Sequence, residues 1–158
     1  MASKIVSLED RSAVMDLLAR YCFYVDEGMI EAWLALWEED GVFFGTRSAP
    51  VIGHEALRGS PEGSLAGGMR HYLCNVFLDY DQNKDEIIAI GYNLILGWKE
   101  APSIFANAVV RYTLVRRGNG WKIKSNQVRL QVPSTFPEQA LPEGFPIPND
   151  QRACWLEI

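Results

Sequence analysis

The chain has 158 residues, of which 48% are hydrophobic and 22% charged, and its formal net charge is −5. This length fits one globular domain with its own core. The composition is too apolar for a disordered chain. The negative charge argues against a partner that is a nucleic acid or an anionic membrane, since both require a positive field. No stretch approaches the roughly 20 apolar residues of a membrane helix, and the N-terminus lacks the apolar core of a signal peptide. We therefore expect a cytoplasmic protein.

Cysteine and motif patterns indicate a protein without a metal or cofactor. Cys22, Cys74 and Cys154 are odd in number and far apart, which is typical of buried reduced thiols and not of a disulfide framework. No Cys or His pair has zinc spacing, and neither a phosphate-binding glycine loop nor a GxSxG or HExxH motif is present. Any catalysis is therefore expected to be of the acid–base type.

The beginning of the chain is predicted to be helical. Ser7 followed by Asp10 is a capping-box start, and apolar residues recur at helical spacing as far as Val25. Gly28 is the predicted end, because glycine accepts the left-handed conformation that closes a helix.

The rest of the chain is predicted to be rich in strands, which makes the fold class α+β. The predicted elements are a second helix at 30–38, a short strand at 42–44, a short helix at 54–58, and strands at 71–80, 86–99, 104–117 and 121–132. The last two strands are joined by Gly118-Asn119-Gly120, which is a strong hairpin signal.

Strand 86–99 is apolar on both faces, and an antiparallel strand of this kind must be covered on both sides. Helices can cover one face, and a second copy of the chain is the simplest cover for the other. We therefore expect a homo-oligomer, a dimer or a trimer. Residues 1–132 are predicted to form a single domain, and residues 133–158, with five of the eight prolines, an extended arm that packs on the core or on a neighbouring subunit.

His71 is the first candidate for a chemical role. Strict alternation along strand 71–80 puts four residues on one face: His71, Leu73, Asn75 and Phe77. A histidine beside apolar residues points to an interior, where a neutral imidazole can act as a base near pH 7. The alternative is a histidine at a strand end that is hydrogen-bonded to a loop.

Asp26 is the second candidate, because it lies in the last turn of the first helix. The negative end of the helix dipole disfavours a carboxylate there by ~0.3–1 kcal/mol unless a cation compensates. A histidine across the core would be such a partner, and the pair would fix the tautomer of the ring. The alternative is that Asp26 belongs to an exposed turn.

Other residues are candidates for binding a substrate. Tyr24 and Tyr92 are candidate donors to a substrate carbonyl, although buried tyrosines are more often packing residues. The residues expected to line the pocket are Tyr21, Trp37, Phe44, Asn107 and Arg129.

The stretches Tyr-x-x-Tyr-Val-Asp-x-Gly, EAWLALWEEDGVF, RHYLCN and GNGWKI together resemble the SnoaL-like group of the nuclear-transport-factor-two-like superfamily. The resemblance covers about residues 8–132 and looks closest to the branch of scytalone dehydratase and hexachlorocyclohexane dehydrochlorinase. It implies a cone-shaped α+β fold, in which a curved sheet wraps around the N-terminal helices and encloses an apolar pocket. It also implies that Asp26 and His71 match the aspartate–histidine pair of that branch.

The sequence departs from scytalone dehydratase at three places. A second histidine of the family falls near Tyr92, where this chain has none, and the pocket asparagine falls around Val110, with Asn107 nearest. The tyrosine that precedes the family's aspartate is Val25 here. Scytalone itself is therefore not the expected substrate.

The sequence thus favours a cofactor-independent lyase of the dehydratase type, or an isomerase, that acts on an apolar cyclic small molecule. The alternative is non-catalytic: EAWLALWEEDGVF and VRYTLVRRGNGWKI also resemble the β subunit of ring-hydroxylating dioxygenases, which partners an iron-bearing α subunit, and a small-molecule binding module is the related possibility. A steroid-type isomerase would need a carboxylate in the pocket other than Asp26, and the sequence offers no convincing candidate.

Overall fold

The computed structural model describes residues 5–45, 49–81, 84–99 and 101–131. Within these ranges the helices are α1 (Leu8–Asp26), α2 (Ile30–Leu34), α3 (Gly53–Leu57) and α4 (Gly59–Gly67), and the strands are β1 (Trp37–Phe44), β2 (Val51–Ile52), β3 (Met69–Asp81), β4 (Glu86–Gly97), β5 (Ser103–Arg117) and β6 (Gly120–Leu130). None of these helices is long and apolar enough to cross a membrane. The arm predicted for residues 133–158, together with Cys154, lies outside the described residues.

Helix α1 begins and ends where its sequence signals predict. The Ser7 hydroxyl accepts a hydrogen bond from the Asp10 backbone N–H at 3.0 Å and donates one to the Asp10 carboxylate at 2.9 Å. The helix ends at Asp26, and Gly28 follows with φ = +64°. The apolar stripe of α1 is buried against the sheet, so that the last turn of the helix is carried into the interior.

The six strands form one curved, unclosed sheet in the order β2-β1-β6-β5-β4-β3. Strands β3 to β6 are consecutive antiparallel neighbours, whereas β1 pairs with β6 in parallel. Strand β3 is therefore an edge strand, and α1 packs along it. This arrangement brings the end of α1 next to the beginning of β3.

The second helix is shorter than predicted, and β1 is correspondingly longer. Helix α2 ends at Leu34, and Trp37 already pairs with Ile123 of β6. The Leu36 carbonyl accepts a hydrogen bond from the Ile123 N–H at 2.8 Å. The apolar spacing around Trp37 fits a helix as well as a strand, and the pairing with β6 decides between them. Helix α4 was not predicted, since its glycine-rich sequence is poor in helix formers.

A bulge in β3 changes which residues face the interior. Cys74 pairs with Tyr92 and Phe77 with Ile90, so that two residues of β3 stand opposite Gly91 alone. Asn75, in this bulge, has φ = +53°, a conformation that asparagine tolerates better than most residues. The bulge reverses the alternation, which corrects the predicted inner set. The residues that share the core side of β3 with His71 are Leu73, Val76, Leu78 and Tyr80, while Asn75 and Phe77 are exposed.

The outer face of the sheet carries large apolar side chains in contact with solvent. On β3 and β4, Tyr72, Phe77 and Tyr92 are 44–50% exposed, and they lie on the face opposite the helices. The inner residues of β4, such as Ile87 and Ala89, are fully buried. The apolar character of both faces of β4, noted in the sequence, is therefore present in the fold.

Candidate active site

Asp26 is buried at the carboxyl end of α1, with only 4% of its surface exposed. No basic residue lies in the last turn of that helix. The cation that compensates for the negative end of the α1 dipole comes from β3. Arg70 Nη1 donates to the Asp26 backbone carbonyl at 3.3 Å, and Arg70 Nη2 lies 3.2 Å from the Glu27 carboxylate. A guanidinium at this position neutralises the negative end of the helix dipole. Arg70 therefore fixes the chain segment that presents Asp26.

The Asp26 carboxylate holds His71 at two points. Its Oδ1 atom lies 2.5 Å from His71 Nδ1, and its Oδ2 atom accepts the His71 backbone N–H at 2.7 Å. The side chain of His71 is 14% exposed and that of Asp26 is 6% exposed. The two predicted site residues, 45 positions apart in the sequence, are thus in direct contact in a largely buried setting.

This contact determines which ring nitrogen of His71 carries the proton. An ionised carboxylate only accepts hydrogen bonds, so in the neutral ring the contact assigns the proton to Nδ1 and leaves the lone pair on Nε2. A ring held in this tautomer can take a proton through Nε2, and the carboxylate stabilises the imidazolium that forms. Chemically, such an arrangement can serve as a general base with its orienting acid.

A third residue, Ser64 of α4, also binds Asp26. The buried Ser64 hydroxyl donates to Asp26 Oδ1 at 3.1 Å. Three donors therefore converge on this carboxylate, one from α4 and two from β3. A buried charge with this many hydrogen bonds is held in one orientation.

Asp26 and His71 lie at one end of a groove between α1 and β3, with a volume of about 500 Å³. Its walls are mainly apolar and include Leu18, Leu73 and Val76, and its polar end also contains Arg70. This volume falls within the range of small-molecule sites in proteins, and a mainly apolar lining is common among them.

Two weak acids near the carboxylate stay protonated. Burial raises the pKa of the Cys22 thiol to about 12, and the negative charge of Asp26 adds to this effect. Burial also raises the pKa of Tyr21 above its ordinary value. Neither group can therefore compete with His71 as a base near neutral pH.

Tyr21 and Trp37, two of the residues expected to line the pocket, belong to a buried aromatic cluster. The Tyr21 ring lies 5.4 Å from Trp33 and 6.0 Å from Trp37, measured between centroids. The Tyr21 hydroxyl accepts a hydrogen bond from Asn126 Nδ2 at 2.9 Å. Neither Tyr21 nor Trp37 lines the groove described above.

Tyr24 also lies away from the groove. Its hydroxyl accepts a hydrogen bond from Arg20 at 3.2 Å in an exposed part of α1. Two positions along a helix correspond to about 200° of rotation, so Tyr24 and Asp26 point to different sides of α1. The structure does not bring Tyr24 to the dyad.

Four further candidates lie on the outer face of the sheet, which corrects their expected place near His71. Tyr92 stands opposite Cys74 and is 45% exposed, whereas the inner face of β4 presents Asn93. The pairing of strands β1, β5 and β6 puts the side chains of the other three on this outer face as well: Phe44, Asn107 and Arg129. Because successive residues of a strand alternate between faces, an error of one position is enough to put a side chain on the wrong side.

The cysteine prediction holds for one residue and fails for another. Cys22 is a buried free thiol, as expected, but Cys74 is a free thiol exposed on the outer side of β3. Among the described residues, no three His, Cys, Asp or Glu side chains lie close enough together to bind a metal ion.

Sequence analysis missed Ser64 and Arg70, because their roles depend on where α4 and β3 meet the end of α1. It also missed Asn93 and Asn126, which are 4% and 1% exposed on the inner side of the sheet. For these two a signal existed: each is a polar residue at an inward position of an otherwise apolar strand face. Their Oδ1 atoms have no hydrogen-bond partner among the described residues.

Comparison with known proteins identifies the family. The SnoaL-like domain matches residues 6–127, which is most of the chain. The chain belongs to the SnoaL-like family. This family includes cofactor-independent isomerases and dehydratases. A search of the curated proteins finds no match.

Solved structures agree with this SnoaL-like assignment. An NTF2-like protein with a cystatin-like fold from Novosphingobium aromaticivorans is 25% identical, with a TM-score of 0.71 over 81% of this chain and 86% of that one. A proposed aromatic ring hydroxylase from the same organism is 25% identical, with a TM-score of 0.70 over 82% and 94%. A proposed scytalone dehydratase, also from that organism, is 22% identical, with a TM-score of 0.69 over 79% and 86%. The predicted cone-shaped α+β fold is confirmed.

Proposed function

We propose that this SnoaL-like protein is a cofactor-independent lyase or isomerase that acts on an apolar cyclic small molecule. The observation that carries the proposal is the contact of 2.5 Å between Asp26 and His71 at the end of an apolar groove of about 500 Å³. A fixed base next to an apolar binding surface suits proton removal from a carbon acid.

In the proposed elimination, His71 Nε2 takes a proton from a carbon next to a carbonyl group. The C–H electron pair forms the new double bond, and the C–O bond to a hydroxyl group breaks. The imidazolium returns the proton to the departing oxygen, so that one molecule of water is released and the base is restored. Asp26 keeps the ring oriented and stabilises its protonated form throughout.

The isomerisation alternative uses the same base. His71 would remove the proton and return it to a different carbon of the same molecule, with no bond to oxygen broken. In both reactions negative charge develops on a carbonyl oxygen, and a donor must stabilise it. Tyr92 and Tyr24 lie outside the groove, so Arg70 takes this role in the proposal. Its guanidinium lies at the polar end and has more N–H groups than its contacts with Asp26, Glu27 and Met69 use.

The test is a comparison of His71→Gln with His54→Gln, because these are the two histidines of the chain. Turnover would be followed by the absorbance of the new conjugated double bond, with a panel of cyclic ketones that carry a β-hydroxyl group. We expect His71→Gln to lower turnover by about 10²–10⁴-fold, which is the usual contribution of a general base. His54→Gln should stay close to wild type. A His71→Gln protein with full turnover would contradict the mechanism.

A second candidate is a non-catalytic β-type subunit of a ring-hydroxylating dioxygenase. The exposed apolar side chains on the outer face of the sheet favour it, since they offer a surface for a larger chain. The 25% identity to a proposed aromatic ring hydroxylase points in the same direction. This candidate predicts co-purification with an iron-bearing α subunit and no functional effect of Asp26→Asn, and mass measurement after a mild pull-down distinguishes the two candidates.

A further inference from the structure

Ser64 lies on α4, whereas Asp26 is on α1 and His71 on β3. It nevertheless contacts Asp26 Oδ1, the oxygen atom that binds the His71 ring. Its hydroxyl donates to Asp26 Oδ1 at 3.1 Å, and the same oxygen receives His71 Nδ1–H at 2.5 Å. The other carboxylate oxygen is bound by the His71 backbone N–H. Oδ1 is therefore shared between the base and a neutral hydroxyl.

The direction of the Ser64 hydroxyl is unusual for a serine within a helix. Such a side chain commonly bonds to a backbone carbonyl of the preceding turn or points to solvent. Ser64 instead is 5% exposed and crosses from α4 to the end of α1. Since His71 by itself already contacts both oxygens of Asp26, the serine is not needed to satisfy a carboxylate that would otherwise be without donors.

A donor on Oδ1 has a chemical consequence for the base. Hydrogen bonds spread the negative charge of a carboxylate and stabilise it, so that each additional donor weakens the attraction to the others. Without Ser64, more charge would remain on the oxygen that faces the imidazole. The protonated ring would then be held more tightly and would be slower to release its proton.

We propose that Ser64 is a positioning residue that limits the charge Asp26 presents to His71, and so eases the release of the proton from the imidazolium. The inference rests on the proposed function in one respect, namely that His71 acts as the base. The electrostatic coupling itself is a property of the folded protein and can be measured without a substrate.

The other titratable and charged groups near His71 come from α1, the residue that follows it, and β3. They are Asp26 and the neutral Cys22 thiol on α1, Glu27 directly after α1, and Arg70, Tyr72 and Cys74 on β3. Of these, Arg70 is already paired with Glu27 and with the backbone of Asp26. The side chain of Ser64 contacts this group of residues through its hydrogen bond to Asp26 Oδ1, which is the route by which its removal would act on His71.

The experiment uses ¹⁵N-labelled histidine, because the chain has only two histidines and their ring signals can be assigned with His54→Gln. The ring nitrogens are followed by NMR from acid to alkaline pH in wild type, Ser64→Ala and Ser60→Ala. Ser60 is on the same helix, so this variant controls for the loss of a serine from α4. We expect the midpoint of the His71 titration to move upward by about 0.5–1 pH unit in Ser64→Ala, because the carboxylate that faces the ring loses one hydrogen-bond donor. Ser60→Ala and the His54 signals should not change.

A second variant guards against a folding defect in Ser64→Ala. Ser64→Cys replaces the hydroxyl by a weaker donor of similar shape, and we expect a shift in the same direction but smaller. A His71 midpoint in Ser64→Ala that equals the one in Ser60→Ala, or that moves downward, would overturn the inference.

The kinetic readout separates this inference from the proposed function. With an active substrate, the acid limb of the pH profile of kcat/KM should move upward in Ser64→Ala by the same amount as the NMR midpoint. If His71→Gln retains full turnover while Ser64→Ala still shifts the His71 titration, the proposed function fails and the coupling stands. If His71→Gln is inactive and Ser64→Ala leaves the titration unchanged, the coupling fails and the proposed function stands.

Discussion

Asp26 binds both the ring and the main chain of His71, through Oδ1 to Nδ1 at 2.5 Å and through Oδ2 to the backbone N–H at 2.7 Å. The second bond matters because β3 is an edge strand, whose outer backbone groups have no neighbouring strand to pair with. The carboxylate thus satisfies an edge amide and orients the imidazole at once. The proposed chemistry and the local stability of the strand therefore depend on the same side chain.

The first prediction concerns Asp26→Asn, which keeps the shape and removes the charge. One amide oxygen cannot replace two carboxylate oxygens that accept hydrogen bonds from His71 and Ser64. We expect the free energy of unfolding in urea to fall by about 1–3 kcal/mol, the cost of unsatisfied buried donors. Turnover should fall by about 10²–10⁴-fold, as expected when the base is no longer oriented. The control is Asp16→Asn on the same helix, which removes only an exposed ion pair with Arg20. Equal behaviour of the two variants would contradict the assigned role of Asp26.

The second prediction concerns Gly91, which stands opposite the bulge of β3. A Cβ atom at this position would lie 3.0 Å from the Cys74 carbonyl oxygen and 3.0 Å from Val76 Cγ2. The backbone oxygen cannot move without disturbing the bulge, so we expect Gly91→Ala to destabilise the fold by about 1–3 kcal/mol. Gly63→Ala is the matched control, because no atom lies within 4 Å of a Cβ there and the helix gains a better helix former. Thermal unfolding of the two variants measures the difference, and a Gly91→Ala protein as stable as Gly63→Ala would disprove the crowding.

Local signals in the sequence predicted the bounds of α1 and the start of β3 well. The bounds of α1 follow from short-range chemistry at Ser7 and Gly28, and the burial of Asp26 follows from the apolar stripe that precedes it. The position of His71 at the start of a strand follows from a change of hydrophobic period. These features depend on neighbours within one or two turns, and so a single sequence contains them.

Other features depend on distant partners, and the sequence does not contain them locally. Trp37 is a strand residue only because Ile123 pairs with it, and the inner face of β3 changes at Asn75 because one residue is left unpaired against β4. Tyr92 was expected at the site, yet the phase of β4 puts Asn93 inward instead. The role of Ser64 arises from the packing of α4 on α1, and no motif around Ser64 predicts it.

The third prediction concerns the different reactivity of two cysteines. Burial raises the pKa of Cys22 from its ordinary value of 9.0 to about 12, so that at pH 8 its thiolate fraction is about 10³-fold lower than that of a free cysteine. Cys74, by contrast, is exposed on the outer side of β3. Iodoacetamide at pH 8 should therefore spare Cys22 in folded protein and modify Cys74 wherever a second copy does not cover the outer face, as in Tyr92→Lys, and peptide mass mapping measures both.

The pH dependence of that protection has a definite sign. The raised pKa means that the neutral thiol contributes stability that is fully present below pH 9.0 and is lost as the pH rises toward about 12. Alkylation of Cys22 should increase only in strongly alkaline buffer or in urea, where both thiols react alike. Cys22→Ser is the control that removes the slow site. Rapid modification of Cys22 at pH 8 in folded protein would show that its surroundings are not as buried as described.

The fourth prediction concerns assembly through the outer face of the sheet. Tyr72, Phe77 and Tyr92 are 44–50% exposed on neighbouring strands, and a contiguous apolar surface of this kind is unusual on a monomer. We predict that a second copy of the chain covers it, because the same face of two identical sheets can pair about a twofold axis. Light scattering after gel filtration should give at least twice the chain mass of 17.8 kDa.

Tyr92→Lys should shift the mass toward the monomer, since removing a lysine in the centre of the contact from water costs free energy. Ile52→Lys, at a position 58% exposed on β2, should leave the mass unchanged. A wild-type protein that elutes as a monomer would mean that another partner, such as the α subunit of the second candidate function, covers this face.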